Sequence, residues 1–239
     1  MVTVCMTTIH SKLNLAMQAI ESFKKQTYRD FNLILYVSRE PYLLDTGINF
    51  DIHLQDPRMQ VQWVKNIGPY RKFMPFLLQN LHTAKIFITV DDDAVYSPDF
   101  LKVMLDLHNT HKCCISFRGH TPASLDPASF VYYNKGERIP KHVKNFHTGA
   151  GGVLFSCEWF RPAQPYFDLW TLIPTEDDVF LNVIRQKMGI PCYVHANYRW
   201  CKTHVAPEGK SLCKVFNTND TTTHNYKMMW GRIPMLASD

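Results

Sequence analysis

The sequence predicts an α/β fold in which a mostly parallel central sheet is flanked by helices. Three observations carry that expectation. Short apolar, β-rich runs alternate with helix-periodic segments through the first hundred residues; glycine and proline punctuate the joins; and acidic residues stand directly after one of the strand-like runs. Residues 2–9 (VTVCMTTI) open as a strand. Within 11–26, Leu15, Ala16, Ala19, Ile20 and Phe23 recur at the spacing of one helical face. FNLILYV at 31–37 reads as a second buried strand, Gly68-Pro69 breaks the chain, 72–80 reads as helix, and KIFITV at 85–90 as a further strand. Alternation at this spacing calls for parallel pairing, because each crossover helix returns the chain to the same edge of the sheet.

Beyond Val90 the character changes. Asp91-Asp92-Asp93 ends the strand, and Ser97-Pro98 reads as the N-cap and first-turn proline of a helix reaching about His108. Residues 114–117 form a short strand. The stretch 118–147, rich in turn formers, polar residues and aromatics, reads as a long irregular excursion; loops of that length in compact domains are usually functional. Gly149-Ala150-Gly151-Gly152 leads into a strand at 153–156. Thr175 reads as the cap of a helix whose inner stripe is Val179, Phe180, Val183, Ile184 and Met188, closed by Gly189. Tyr193-Val194 gives a last strand, and 217–225 is nearly structureless by pattern. No repeat, low-complexity tract or linker interrupts the chain, so one domain over 1–239 is expected.

Composition narrows the function classes. With 239 residues, 46% hydrophobic and 20% charged, the chain is sized for one large core and is unlike a disordered segment. Lys and Arg number 26 against 21 Asp and Glu, a net +5 that suits a nucleoside diphosphate or an anionic membrane surface; no dense basic stripe supports nucleic acid. The seven cysteines are scattered, Cys113 and Cys114 are adjacent, and no C-x-x-C pair occurs. They read as buried free thiols in a reducing cytoplasm rather than as a disulfide framework, with Cys201, His204 and Cys213 only loosely imitating a metal cluster. No run approaches the roughly 20 apolar residues needed to span a bilayer, and MVTVCMTTI lacks the basic start of a signal peptide, so any membrane contact is expected to be peripheral.

The chemistry concentrates in two acidic clusters. Three consecutive carboxylates repel one another, and the strand before them delivers Asp91-Asp92-Asp93 to the sheet edge where α/β folds bind ligands. A hard divalent cation relieves the repulsion, and oxygen-only ligands favour Mn²⁺ or Mg²⁺ over zinc. An acidic turn capping the next helix is the plainer reading, but Ser97 already supplies that cap. Glu176-Asp177-Asp178 stands at a helix start, where a capping box and the helix dipole also favour acids. Arg71 and Lys72 read either as phosphate or base ligands or as solvated residues opening a helix. The glycine turn at 149–152 precedes a strand rather than a helix, so neither a phosphate-binding loop nor a dinucleotide fingerprint fits.

In combination these segments resemble a GT-A glycosyltransferase of the large inverting family two type. MTTIHSKLNLAMQAIESFKKQTYRDFNLILYV is similar to that family's first strand, helix and second strand, with Gln26-Thr27-Tyr28 and Asp30-Phe31 at its Q-T-Y-x-D-F turn. ITVDDDAVYSPDFL resembles the D-x-D segment, and Gly68-Pro69-Tyr70-Arg71-Lys72 a G-P-x-x-K stretch of bacterial polysaccharide-type members. The resemblance covers most of residues 1–196. It implies a nucleotide-sugar-binding half over 1–110 and an acceptor-binding half over 111–239. It further implies inverting, metal-dependent hexosyl transfer from a nucleoside-diphosphate sugar, a UDP-sugar first, to a carbohydrate or lipid-linked saccharide in polysaccharide biosynthesis, in the cytoplasm or at the inner face of the membrane.

The roles it implies are specific. Thr8 touches the nucleoside, Asp91 and Asp92 the donor, Arg71 and Lys72 its phosphates or base. Asp93 and Asp91 bind the metal, with a late histidine, His224 or His204, as a further ligand. Asp178 is the general base and Asp177 its acidic neighbour. The glycine turn lets the sugars approach the backbone, with His147 beside it. One departure stands out: the family's base-reading aspartate after the second strand is replaced by Val37-Ser38-Arg39-Glu40. Ser38 or Glu40 then has to substitute, and the donor base is left open. Two other classes remain. A sugar nucleotidyltransferase shares strand-end metal carboxylates but needs a glycine-rich basic loop after the first strand, where this chain has TTIHSKLN. A catalytically degenerate carbohydrate-binding domain would have no need of both acidic clusters. Trp159, Trp170, Trp200 and Trp230 are core candidates that also suit stacking on a sugar. The segment 226–236 either lies on a membrane surface or packs back onto the domain.

Overall fold

The computed structural model describes residues 1–122, 130–132, 137–196, 201–203, 212–217 and 221–236. β1 (Val2–Thr7), β2 (Phe31–Val37) and β4 (Ile86–Val90) are apolar almost throughout because both faces of the sheet are covered. Alternate residues of one strand enter opposite cores: in β2, Leu33, Leu35 and Val37 join one apolar cluster, while Ile34 and Tyr36 join the other. With β3 (Met59–Trp63), β6 (Cys114–Ser116), β9 (Glu137–His142), β11 (Val153–Ser156) and β12 (Cys192–Ala196), these strands form an eight-stranded sheet ordered β3-β2-β1-β4-β11-β6-β12-β9. Only β11 and β9 run against the rest, since β11 pairs antiparallel with β4 and β6, and β9 antiparallel with β12. The expected mostly parallel α/β architecture is observed.

Helices cover both faces. α1 (Leu13–Lys24) and α3 (Phe100–His111) pack Ala16, Ala19, Ile20, Phe23, Phe100 and Met104 into one core. α2 (Met74–Asn80), α4 (Asp177–Lys187) and α6 (Thr221–Arg232) supply Leu77, Val179, Phe180, Val183, Tyr226 and Met229 to the other. From β1 the chain crosses outward to β2 and β3, then returns to lay β4 on the opposite side of β1. The C-terminal ends of β1 and β4 therefore flank a topological switch point, the crevice where open α/β sheets bind ligands.

Several elements differ from the sequence reading. The helix expected at 72–80 begins at Met74, because Pro69 and Pro75 lie in two successive helical starts and Gly68–Lys72 forms a separate 3-10 turn. The helix after the triple aspartate starts at Phe100, not at the Ser97-Pro98 cap. A three-residue strand, β5 (Ala94–Tyr96), comes first and pairs with β13 (Cys201–Thr203); the residue at the helix N-cap is Asp99, whose carboxylate accepts from Thr27. Thr175 does not cap α4. Its hydroxyl donates to Asn217, and no side chain bonds the helix N-terminus.

The excursion at 118–147 contains β7 (Gly119–Pro122), β8 (Phe130–Tyr132) and β10 (Phe146–His147), a small antiparallel sheet, as well as β9. Residues 221–225, read as structureless, begin α6. Its terminal segment packs back onto the domain: Tyr226, Met229 and Ile233 are buried, and Lys187 lies 4.0 Å above the Trp230 ring. The six cysteines whose side chains are described are free and buried, as expected. No described helix is long and apolar enough to cross a membrane.

One buried cation ties the second half together. Arg185 of α4 is fully buried and donates to the carbonyls of Val143, Ile190 and Asn145, fixing the chain that leads into β10. Removing it strands three buried acceptors, each hydrogen bond to a charged donor being worth about 1.5–3 kcal/mol. Arg185→Met is expected to lower unfolding stability by about 3 kcal/mol, measured as an earlier urea midpoint at constant m-value. A loss below about 1 kcal/mol would show that the carbonyls find other donors.

Candidate active site

At the switch point lies a cavity of about 470 Å³, within the range of small-molecule sites. Both acidic clusters line it: Asp91, Asp92 and Asp93 from the end of β4, Asp177 and Asp178 from the first turn of α4. The triple aspartate is held from behind. Tyr96 of β5 takes the Asp91 N–H at 2.9 Å and returns its hydroxyl to the Asp91 carbonyl at 3.0 Å. Thr8, just past β1, donates to Asp92 Oδ2 at 2.6 Å, closing the seam between the two strands.

Two lysines neutralise the carboxylates. Lys72 Nζ lies 3.0 Å from Asp91 Oδ1 and 2.9 Å from Asp177 Oδ2, so one buried ammonium joins clusters far apart in sequence. Burial opposes that charge, but Asp177, Asp91 and Asp178 outweigh it and hold the ammonium well above its ordinary value. Lys12 Nζ sits 3.0 Å from Asp93 Oδ2 and 3.8 Å from Asp92 Oδ1.

The glycine turn completes the convergence. Gly149 N–H donates to both oxygens of Asp178, each at 3.0 Å. A Cβ at Gly149 would stand 3.0 Å from Lys72 Nζ and 3.2 Å from Asp178 Oδ1, so a side chain there would crowd the junction of the two clusters. Three residues on, Gly152 adopts φ +82°, and a Cβ there would meet the Phe100 ring at 2.6 Å. The turn is thus both a bend that requires glycine and a wall of the site.

The carboxylates are not equivalent. Burial, then repulsion from Asp177, pushes Asp178 up to about 7 despite Lys72 and the Gly149 N–H. Burial likewise lifts Asp92 to about 6, against the pull of Lys12 and Thr8. Burial would raise Asp91 too, yet Lys72 beside it keeps that group below its usual value. The cavity therefore holds one carboxylate, Asp91, kept in the ionised form and two, Asp92 and Asp178, raised towards neutrality, Asp178 the further.

Thr8, Arg71, Lys72, Asp91, Asp92, Asp93, Asp177 and Asp178 all line this one cavity. His224 does not: it is exposed on α6 and away from the lining. His204 and Trp200 lie outside the described residues. His147 is buried beneath the turn against Phe155, and burial depresses its pKa well below normal; it too is not a lining residue. Trp159, Trp170 and Trp230 pack around the core.

Three charged lining residues, Asp45, Lys12 and Arg118, were missed. Asp45, not Ser38 or Glu40, is the acid that the loop after β2 delivers to the cavity. Its carboxylate accepts from the His10 and Gly47 N–H groups and from Asn66, and pairs with Arg71 Nη2 at 2.9 Å. The turn signal Asp45-Thr46-Gly47 was available to find it. Arg71 also donates to the Thr8 carbonyl, and its Nη1 is buried without a partner among the described residues. Lys12 carried no pattern signal, and Arg118 lay within the excursion read as irregular.

No protein-family model matches the sequence, and no curated protein sequence matches it. Solved structures do. S. aureus TarS 1-349 in complex with UDP-GlcNAc aligns with a TM-score of 0.62 at 12% identity, over 96% of this chain and 65% of that one. Mannosyltransferase PcManGT from Pyrobaculum calidifontis, in complex with GDP-Man and Mn²⁺, gives 0.52 at 14% identity, over 87% and 58%. A 4-diphosphocytidyl-2C-methyl-D-erythritol synthase gives 0.53 at 10% identity, over 87% and 94%. The chain spans less than two thirds of the TarS chains it matches, 61% and 65% for the complexes with UDP and UDP-GlcNAc. At such identities the likeness speaks for architecture alone: the chain has the GT-A fold, shared with TarS and the mannosyltransferase PcManGT.

Proposed function

We propose that this chain transfers a sugar, with inversion, from a nucleoside-diphosphate sugar to a saccharide hydroxyl, and that Asp178 is the general base. The observation that carries this reading is the meeting of two carboxylate clusters in one cavity at the sheet's switch point, with a high-pKa carboxylate among them. Solved GT-A neighbours holding UDP-GlcNAc and GDP-Man support a nucleotide-sugar donor.

The chemistry follows from the placement. The acceptor hydroxyl attacks the anomeric carbon from the face opposite the diphosphate; its proton passes to a carboxylate oxygen of Asp178, while the bond to the diphosphate breaks and its electron pair leaves with the nucleotide. The single Gly149 N–H shared by both oxygens orients Asp178 without holding it permanently ionised. Asp92, steadied by Thr8, receives donor hydroxyls, and the unpartnered Nη1 of Arg71 suits a base or phosphate oxygen.

Asp91 and Asp93 fit a divalent cation as hard oxygen donors. That donor set matches Mn²⁺ or Mg²⁺ bound through one or two carboxylates plus substrate phosphates. When bound, such an ion supplies Lewis-acid stabilisation of the departing diphosphate. The neighbour carrying Mn²⁺ supports this requirement. The acceptor half comprises the turn at 149–151, Arg118 and α4, and a free or lipid-linked saccharide suits it equally.

A nucleotidyltransferase reading has one observation in its favour, the likeness to the cytidyl-carrying synthase. It is opposed by the turn after β1, where His10–Lys12 aims Lys12 at the carboxylates and no glycine-rich loop exists. The products separate the two: nucleoside diphosphate marks transfer of a sugar, pyrophosphate marks transfer of a nucleotidyl group, and a pure binding domain releases neither.

Asp178→Asn is expected to spare nucleotide binding and to cut turnover by roughly 10²–10⁴-fold, the usual worth of general acid–base catalysis; full turnover in this variant would falsify the base assignment. Asp93→Ala is expected to abolish metal-dependent nucleotide binding, read by calorimetry with UDP and GDP. A base works only when ionised, so kcat should fall as pH drops through about 7. In Asp177→Asn the acid limb should move to lower pH, because a neighbouring negative charge has been removed. A pH profile that is flat from 5 to 8, roughly, would count against Asp178.

A further inference from the structure

Lys12 stands where a lysine gains nothing from its local structure. It occupies the residue before α1, at the positive end of the helix dipole, with no side-chain capping bond. What holds its ammonium there is the acidic cluster: Asp93 Oδ2 at 3.0 Å and Asp92 Oδ1 at 3.8 Å, on a side chain only 15% exposed. Of the other cations lining the cavity, Arg71 pairs with Asp45, and Lys72 with Asp91 and Asp177.

This arrangement conflicts with metal loading. An ammonium and a divalent ion drawn to one carboxylate repel each other, and the repulsion grows as their separation shrinks in a desolvated site. Lysine, however, is a point charge on a flexible four-carbon stem with three donors. Such a stem is able to turn its ammonium from one acceptor to another nearby. Once a diphosphate enters with the cation, its oxygens offer Lys12 a replacement partner.

We propose, resting on the donor-site reading above, that Lys12 is a diphosphate ligand that the free protein holds on Asp93: cation and nucleotide enter together, Asp93 passes to the cation, and Lys12 passes to a phosphate oxygen. Carboxylate, cation, diphosphate and ammonium then alternate in charge. Two consequences follow. Metal alone binds poorly because it must displace Lys12 without compensation, and metal and nucleotide favour each other's binding.

The test titrates Mn²⁺ into the full chain, with free Mn²⁺ read by electron paramagnetic resonance, and UDP or GDP by calorimetry. Lys12→Met is expected to bind Mn²⁺ alone about 5–10-fold more tightly than the parent, and UDP or GDP in the presence of Mn²⁺ about 10-fold more weakly. Lys12→Arg should restore most of the nucleotide affinity while still opposing the metal. Mn²⁺ affinity that is unchanged or weaker in Lys12→Met, with the parent binding both ligands, overturns the role of Lys12 alone. A parent chain that binds neither Mn²⁺ nor UDP nor GDP overturns the donor-site reading, and this inference with it.

Discussion

Like charges do not collect in a partly buried cleft unless something holds them, and in this protein that something is the Lys72 ammonium. It reaches from the 3-10 turn before α2 to Asp91 at the end of one strand and to Asp177 at the start of a helix. Without it, five carboxylates would face one another across a desolvated space, and the least costly response would be for several of them to take up protons. With it, Asp91 stays ionised while Asp178, one residue beyond the bridged carboxylate, absorbs the remaining repulsion as a raised pKa. The unequal protonation of these carboxylates and the joining of the two clusters thus come from one ion-pair network.

The backbone geometry is subordinate to that network. The turn at 149–152 brings a peptide N–H to Asp178 and keeps its own Cβ positions clear of Lys72 and Phe100. β5, only three residues long, exists to be pinned by β13 and to place the Tyr96 hydroxyl on the Asp91 backbone. Even the 3-10 turn after β1 serves the acids, by setting Lys12 over Asp93.

What was legible in the sequence was what repeats or clusters locally. β1, α1, β2 and β4 have periods and lengths that declare them, and acidic triplets at a strand end and a helix start are visible without coordinates. The illegible parts depend on partners distant in the chain. Asp45 drew no reading, because its role comes from Arg71, Asn66 and His10. Lys12 drew none either, since its partners lie some eighty residues on. β5 and β13 are too short for alternation to show, and α6 has a mixed apolar and polar face that blurs its period. The Thr175 cap failed for a related reason: Asn217, forty-two residues on, claims the hydroxyl.

Glu176, the remaining acid of the second cluster, has its carboxylate gripped by Thr222 and Asn225 of α6, while Tyr70 donates to its carbonyl. The final helix is therefore a brace on the peptide that carries Asp177 and Asp178. The same helix is anchored in the core through Tyr226 and Met229, and by Ile233 just after it. The placing of both aspartates in the cavity thus leans on a helix that contributes neither of them.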